Sequence, residues 1–455
     1  MQEFSIRWEN FRSLKDTAWL RIRPITVIIG ANASGKTSIH APLLLLKQTL
    51  DSPDTTLPLK SIGEFFDAGS YHDLIFKHDL SKRLSFSIRT EKFIGNKDNE
   101  ELKELGTYRP GEIKLQFSYN DETKQVNLQR YHVRDIYHRT LVHRYFLKDG
   151  TYSIRKPDLD SVEKSHLNAI KKSKPEHFLF DIESYIRFRL RTSEEEEVEE
   201  FTIEESEALY LKSIDYIAGW VNRLLSNISY IGPLRQRPKR LYEITGERPS
   251  GVGVKGQNTP EIIFMEKETE LMEIVNEWVS KFEFGFQIEC KDLSPSAFEV
   301  LLRRKKEAPK IGIADTGFGL SQVLPLIVQG FYSKENSIII AEQPEIHLNP
   351  KLQALLADLF VSIASNEKCI FVETHSEHLL LRLRRLVAEG KISSEDISLY
   401  YVEKSKDVSK IREVPIEEDG HIKHDRWPKG FFGEALKESM GLAQAQQREG
   451  ANNAK

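Results

Sequence analysis

The chain has 455 residues, 39% hydrophobic and 29% charged, with 65 basic against 69 acidic residues and a formal net charge of −4. That length exceeds one ordinary core and predicts two or more lobes. The balanced charge excludes a global field that would draw the protein onto nucleic acid, so such a contact needs a local patch.

Cys290 and Cys369 match no metal-ligand spacing and read as buried thiols of a reducing compartment. The opening Met-Gln-Glu-Phe-Ser-Ile-Arg-Trp lacks the basic-then-apolar order of a secretion signal, and no apolar run approaches a membrane span. A cytoplasmic protein without membrane contact is expected.

In chain order, the apolar, β-branched run Ile25-Thr-Val-Ile-Ile29 predicts a strand. Gly30 to Thr37 then reads Gly-Ala-Asn-Ala-Ser-Gly-Lys-Thr, followed by an apolar helical pattern with Leu43 to Leu46 and Leu50. Strand, glycine loop, Lys-Thr and helix form the context that a phosphate-binding loop requires. Gly30 and Gly35 let backbone N–H groups approach phosphate oxygens, with Asn32, Ser34 and Ser38 in the same turn. Lys36 supplies a charge for the β/γ-phosphates, the Thr37 hydroxyl suits Mg²⁺, and the helix start adds partial positive charge. These residues predict a nucleoside triphosphate site.

From about Glu91 to Ser226 the sequence turns polar, charged and helical in character. Glu194 to Glu197, Glu199 and Glu200 form an acidic run, and Arg187, Arg189 and Arg191 alternate with Phe188 and Leu190. No sustained heptad supports a long coiled coil. Arg235, Arg237, Lys239 and Arg240 form a basic cluster that either reaches phosphates or is a solvated loop. Arg303 to Lys306 reads as a hairpin tip.

Ala314 to Pro325 is a glycine-rich turn leading into a helix. Ile338 to Ala341 predicts a buried central strand that ends in the carboxylate Glu342; Pro344 ends it and a helix begins near Pro350. A second apolar strand, Cys369 to Glu373, leads into Thr374-His375-Ser376. A histidine just past a strand end, beside the carboxylate strand, is placed to reach a γ-phosphate or the attacking water. Arg382, Arg384 and Arg385 punctuate an apolar helix, and Ser398 to Glu403 reads as a closing strand. Glu417, Glu418 and Asp419 read as a turn before Gly420; Gly430-Phe-Phe432 and a polar tail follow.

In this order the pieces resemble ABC-type ATPases of the group that includes RecF, the SMC proteins and the OLD-type ATPases. The resemblance implies an α/β fold: an ABC-type P-loop ATPase core with an inserted arm or helical lobe and a small C-terminal cap. Residues 1–90 and 226–400 would form the core, 91–225 the inserted lobe, and 401–455 the cap and tail. Gly30 to Thr37 match Walker A, Ile338 to Glu342 Walker B, and Gly317 to Gln322 the signature turn. His375 matches the switch histidine, Asn349 falls at the D-loop, and Ile6 to Leu14 resembles the opening β-hairpin.

By that resemblance the ligands are ATP and Mg²⁺, the metal held by Thr37 and Glu342. The turn with Gly319, Ser321 and Gln322 of a second subunit would cap the γ-phosphate, making ATP the bridge of a homo-oligomer. One position departs from the group: Gln343 stands where a water-activating glutamate is usual. An amide orients water but accepts no proton, so hydrolysis is slow or Glu345 or Glu373 takes the role. Too little sequence follows Glu403 for the Toprim nuclease of OLD proteins. Stand-alone ATPases of this kind resemble the ATPase subunits of the anti-phage systems PARIS and Septu, which implies a separate nuclease or toxin as effector. The alternatives are a DNA-repair ATPase of RecF/SMC type, which would bind nucleic acid, and an ATP-stabilised scaffold with little turnover.

Overall fold

The structure, a computed structural model, describes residues 3–90, 110–147, 151–155, 157–158, 170–171, 175–180, 205–304 and 309–423. The acidic run at 194–200, the arginine alternation at 187–191, Lys305, Lys306 and everything after residue 423 lie outside the described residues.

An antiparallel sheet opens the chain. It comprises β1 (Phe4–Phe11), β2 (Leu14–Asp16), β3 (Leu20–Ile22), β5 (Leu84–Thr90), β6 (Pro110–Asn120), β7 (Gln125–Asp135), β8 (Thr140–Phe146) and β9 (Tyr152–Arg155). Its order is β2-β1-β5-β6-β7-β8-β9, with β3 also on β1. Period-two alternation builds it: Ile6, Trp8, Phe86, Ile88, Ile113, Leu115, Tyr131 and Val133 turn into one core. Between them Arg7, Lys114, Arg130 and Arg134 occupy the other face.

The second sheet contains β4 (Ile25–Gly30), β10 (Ile228–Ile231), β15 (Ile338–Glu342), β16 (Cys369–Glu373), β17 (Ile397–Ser405) and β18 (Val408–Glu413). Its order is β10-β15-β16-β4-β17-β18, parallel throughout except for β18. Both faces are covered, so β4, β15 and β16 are continuous apolar runs without alternation. Ile28, Ile340 and Phe371 face α1 (Thr37–Leu50) and α3 (Glu205–Ser226). Val27, Ile339 and Val372 face the opposite core, which holds α6 (Phe318–Tyr332), α7 (Pro350–Ser365) and α8 (Glu377–Ala388). Further helices are α2 (Tyr71–Leu74), α4 (Thr259–Met265) and α5 (Glu270–Lys281). A small antiparallel sheet, β11 (Tyr242–Glu243), β13 (Ala297–Arg303), β12 (Gln287–Ser294) and β14 (Ile311–Gly312), packs beside α4 and α5.

Two expectations change. The described part of 91–225 is not mainly helical: β6 to β9 extend the opening sheet, and α3 is the long helix there. Its charged residues stand between apolar ones at period two, a pattern that raw polarity conceals. A boundary at residue 400 falls inside β17, which pairs along β4 from Ile397↔Ile25 to Val402↔Gly30 and is a strand of the central sheet. Among the described residues no helix is long and apolar enough to cross a membrane.

Candidate nucleotide-binding site

The loop from Gly30 to Thr37 leaves β4 at its C-terminal end and runs directly into α1. Gly30 permits close packing on β17, because a Cβ there would lie 2.3 Å from the Val402 carbonyl oxygen. Gly35 has φ +98°, and a Cβ would meet Ser409 Oγ at 2.5 Å and Ser13 Oγ at 2.9 Å. Those two serines prop the loop: Ser409 Oγ donates to the Ser34 carbonyl at 2.6 Å and accepts from the Ser13 hydroxyl at 2.7 Å. Lys36 is buried, and its Nζ donates to the carbonyls of Gly30 at 3.0 Å and Ala31 at 2.9 Å. Burial holds the Lys36 ammonium below its usual range. The start of α1 has no side-chain cap and no acid in its first turn; the Ser38 and Ile39 N–H groups donate to the Gly35 and Lys36 carbonyls at 3.1 and 2.9 Å, and the partial positive charge of the helix start suits an anion. Ser34 and Ser38 are buried in this turn, and Asn32 is exposed.

Carboxylates end the neighbouring strands. Glu342 and Glu373 are register partners on β15 and β16. The sequence suggests that Thr37 and Glu342 act together; the Thr37 hydroxyl donates to a further carboxylate, Glu373 Oε2, at 2.9 Å. The reason is strand order, since β16 lies between β15 and β4 and brings Glu373 nearer the loop. Glu342 Oε1 accepts from the Tyr230 hydroxyl at 2.9 Å and pairs with His40 Nε2 at 2.8 Å. Burial pushes the Glu342 carboxyl up, but His40, Tyr230 and Arg235 outweigh it and hold the group below its usual range. Burial pushes the Glu373 carboxyl up. Ligand-capable atoms of His40, Glu342 and Glu373 lie within 4.8 Å of one another. With the Thr37 hydroxyl, the two carboxylates make a hard oxygen donor set that fits Mg²⁺.

Past Glu342 the chain turns sharply. Gln343 has φ +43°, is half-buried, and its N–H donates to the Glu373 carbonyl at 2.7 Å. Glu345 is buried; its Oε1 accepts from the His375 N–H at 2.7 Å, and its Oε2 has no hydrogen-bond partner. Burial raises the Glu345 carboxyl and lowers the His375 imidazole. Thus Lys36, Thr37, Glu342, Gln343, Glu345 and His375 gather at the C-terminal edge of one parallel sheet.

Gly319, Ser321 and Gln322 lie in the first turns of α6, and both side chains are buried. Ser321 lines a cavity of about 340 Å³ with Gln236, Tyr242, Thr259 and Pro325, and no residue of the Gly30–Thr37 loop borders it. Asn349 caps α7, accepting from the Leu352 N–H at 3.1 Å. The basic cluster divides. Arg240 pairs with Asp315 at 2.6 Å on the surface, whereas Arg235 carries its charge towards Glu342 and Glu345. Its Nε and Nη1 are buried without hydrogen-bond partners, and burial brings the guanidinium down to about 10.

Sequence reasoning missed His40, Tyr230, Ser13 and Ser409. His40 carried a signal, as a histidine one helical turn after Thr37 in an otherwise apolar helix. The serines carried none, because their proximity depends on β18 returning beside β2.

A glycine loop at the C-terminal edge of a parallel α/β sheet, with acids ending two adjacent strands, defines a P-loop ATPase core. The chain belongs to the family described as AAA ATPase domain, which matches residues 3–380. Residues 392–442 match a second family, described as a protein of unknown function (DUF3696). No curated protein matches the chain. Among solved structures, it is similar to the Smc head domain with an extended coiled coil bound to the C-terminal domain of ScpA, from Pyrococcus furiosus. That match has 14% identity and a TM-score of 0.42, covering 98% of this chain and 100% of the other. The SMC head domain from Thermotoga maritima matches at 14% identity and TM-score 0.38, covering 92% and 100%. The Smc head domain with a coiled coil and joint from Pyrococcus yayanosii matches at 11% and 0.42, covering 92% and 98%. At these scores the likeness carries no functional weight.

Proposed function

We propose that this chain binds ATP at Gly30–Thr37, hydrolyses it slowly, and shares each nucleotide between two copies. One observation carries the reading: the loop, its lysine and the carboxylates of β15 and β16 meet at a single sheet edge. Lys36, held on two loop carbonyls, exchanges them for phosphate oxygens, which are stronger acceptors. The uncapped N-terminus of α1 supports the same anion. Thr37, Glu373 and Glu342 are the residues that would hold Mg²⁺, which when bound neutralises phosphate charge. Gln343 orients water without accepting its proton, so turnover is slow; Glu345 is the reserve base, with an unpartnered buried oxygen and a carboxyl raised by burial. Arg235 adds a cation aimed at the same carboxylates.

The shared-site reading is supported by Ser321, which borders a cavity apart from its own chain's loop. The wider role, gating a separate nuclease or toxin in anti-phage defence, rests on the sequence resemblance to the PARIS and Septu subunits. Sedimentation with a non-hydrolysable ATP analogue tests the assembly step. The parent is expected to pair on adding the analogue, and Ser321→Arg to bind it but remain monomeric. Equal pairing by the two proteins overturns the shared site. An ATP-dependent pull-down that yields no nuclease or toxin removes the gating role.

A further inference from the structure

The outer face of the antiparallel sheet carries cations that the nucleotide site does not use. Register places them in one row: Arg7 opposite Ser87, Ser87 opposite Lys114, Lys114 opposite His132, His132 opposite His143, and His143 opposite Arg155. Directly opposed residues share a face, so the row crosses six strands on one side of the sheet. Arg130 and Arg134 flank His132 two positions away on β7 and join it there. Together these residues line a cavity of about 420 Å³, within the size range of small-ligand sites.

Its charge is only partly balanced. Arg7 pairs with Asp16 at 2.6 Å, Lys114 with Glu9, and Arg134 with Glu112 at 3.7 Å. Among the described residues no carboxylate forms an ion pair with Arg130 or Arg155; Asp158 feels the Arg155 charge but is held by the Thr140 N–H at 2.8 Å. The Arg130 Nε and the His143 Nε2 are buried without hydrogen-bond partners, an arrangement that costs free energy unless a ligand completes it. His132 and His143, 7% and 9% exposed, stack at 4.5 Å on the cavity floor. Burial and the surrounding cations bring His132 down to about 3 and His143 to about 4, so both rings are neutral near pH 7.

We propose that this cavity is a second anion site, separate from the Gly30–Thr37 loop, that takes the phosphate group of a small ligand. Arg130 and Arg155 supply charge-assisted hydrogen bonds, and the histidine floor supplies neutral N–H donors. The recessed floor favours a compact terminal phosphate over the backbone of a duplex, which needs an open track of surface cations.

Calorimetric titration of the full chain with inorganic phosphate and with AMP tests the site. To keep the Walker loop out of the readout, both titrations are repeated with Lys36→Ala. Binding is expected to survive Lys36→Ala and to weaken at least about tenfold in Arg130→Gln/Arg155→Gln, as expected for losing charged hydrogen bonds. The exposed single variant Arg155→Gln, which disturbs no packing, is expected to show a smaller loss in the same direction. Tighter binding of AMP than of phosphate identifies a phosphate ester as the ligand class, and equal binding identifies the free ion; both support the site. No binding of either probe overturns it, as does binding lost in Lys36→Ala but intact in the arginine variants. Binding of a duplex oligonucleotide alone replaces it with a nucleic-acid surface.

Discussion

The parallel and antiparallel sheets are both built from β-branched and apolar residues, yet they display polar groups in opposite ways. In the parallel sheet, β4, β15 and β16 are buried along their whole length, so polar groups appear only where the strands end. Lys36, Glu342 and Glu373 are therefore collected at one edge. In the antiparallel sheet polar residues alternate with apolar ones along the strands, and a row of polar and cationic side chains crosses one face from Arg7 to Arg155. Chemistry at strand ends sits in short contiguous motifs, whereas chemistry across strands is scattered over 148 residues of sequence, the separation of Arg7 and Arg155.

Four experiments break or sharpen this contrast, and the largest effect belongs to the parallel edge. Gln343→Glu restores a carboxylate beside Glu342 and is expected to raise turnover by about 10²- to 10⁴-fold, measured as phosphate release. Unchanged turnover, with activity lost in Glu345→Ala, moves the base to Glu345. Lys36→Ala comes next: losing its charged hydrogen bonds is expected to weaken ATP binding by about 100-fold in calorimetry. Unchanged affinity would falsify the loop as the ATP site.

Gly35→Ala places a Cβ against Ser409 and Ser13 at φ +98° and is expected to cost about 1–3 kcal/mol of stability, read from the denaturation midpoint. The fourth experiment turns to the antiparallel sheet. His132 and His143 titrate below their ordinary value of 6.5 when folded, so the unfolded chain takes up protons first as pH falls. Their contribution is complete above about pH 6.5 and is lost as pH drops through about 4 and 3. Thermal melts are expected to show Tm falling from pH 7 to pH 5, and His132→Gln/His143→Gln to flatten that slope.

Legibility followed the same division. Ile25 to Thr37, Ile338 to Glu342 and Cys369 to His375 each place strand and functional group within a dozen or so residues, so strand, loop and acid were readable from sequence. The partner of Thr37 was not, because it depends on β16 lying between β15 and β4. The tie from His40 and Tyr230 to Glu342 joins three distant segments and was equally hidden. The middle of the chain looked helical because its charge density outweighed a period-two pattern, which shows when Ile113, Leu115 and Phe117 are set against Glu112, Lys114 and Gln116.

The serine lacing of the phosphate loop has a consequence for biosynthesis. Ser409, whose hydroxyl holds the Ser34 carbonyl, is made 375 positions after it. At roughly 5–20 residues per second, translation reaches Ser409 about 20–75 s after Ser34. During that interval β4 lacks its β17 neighbour, and the glycine loop has no outer wall. A ligand stabilises only a conformation it can bind, so ATP gives the growing chain little protection until its last described strands have formed. A nascent chain stalled before β17 therefore leaves β4 as the unpaired edge of an unfinished parallel sheet.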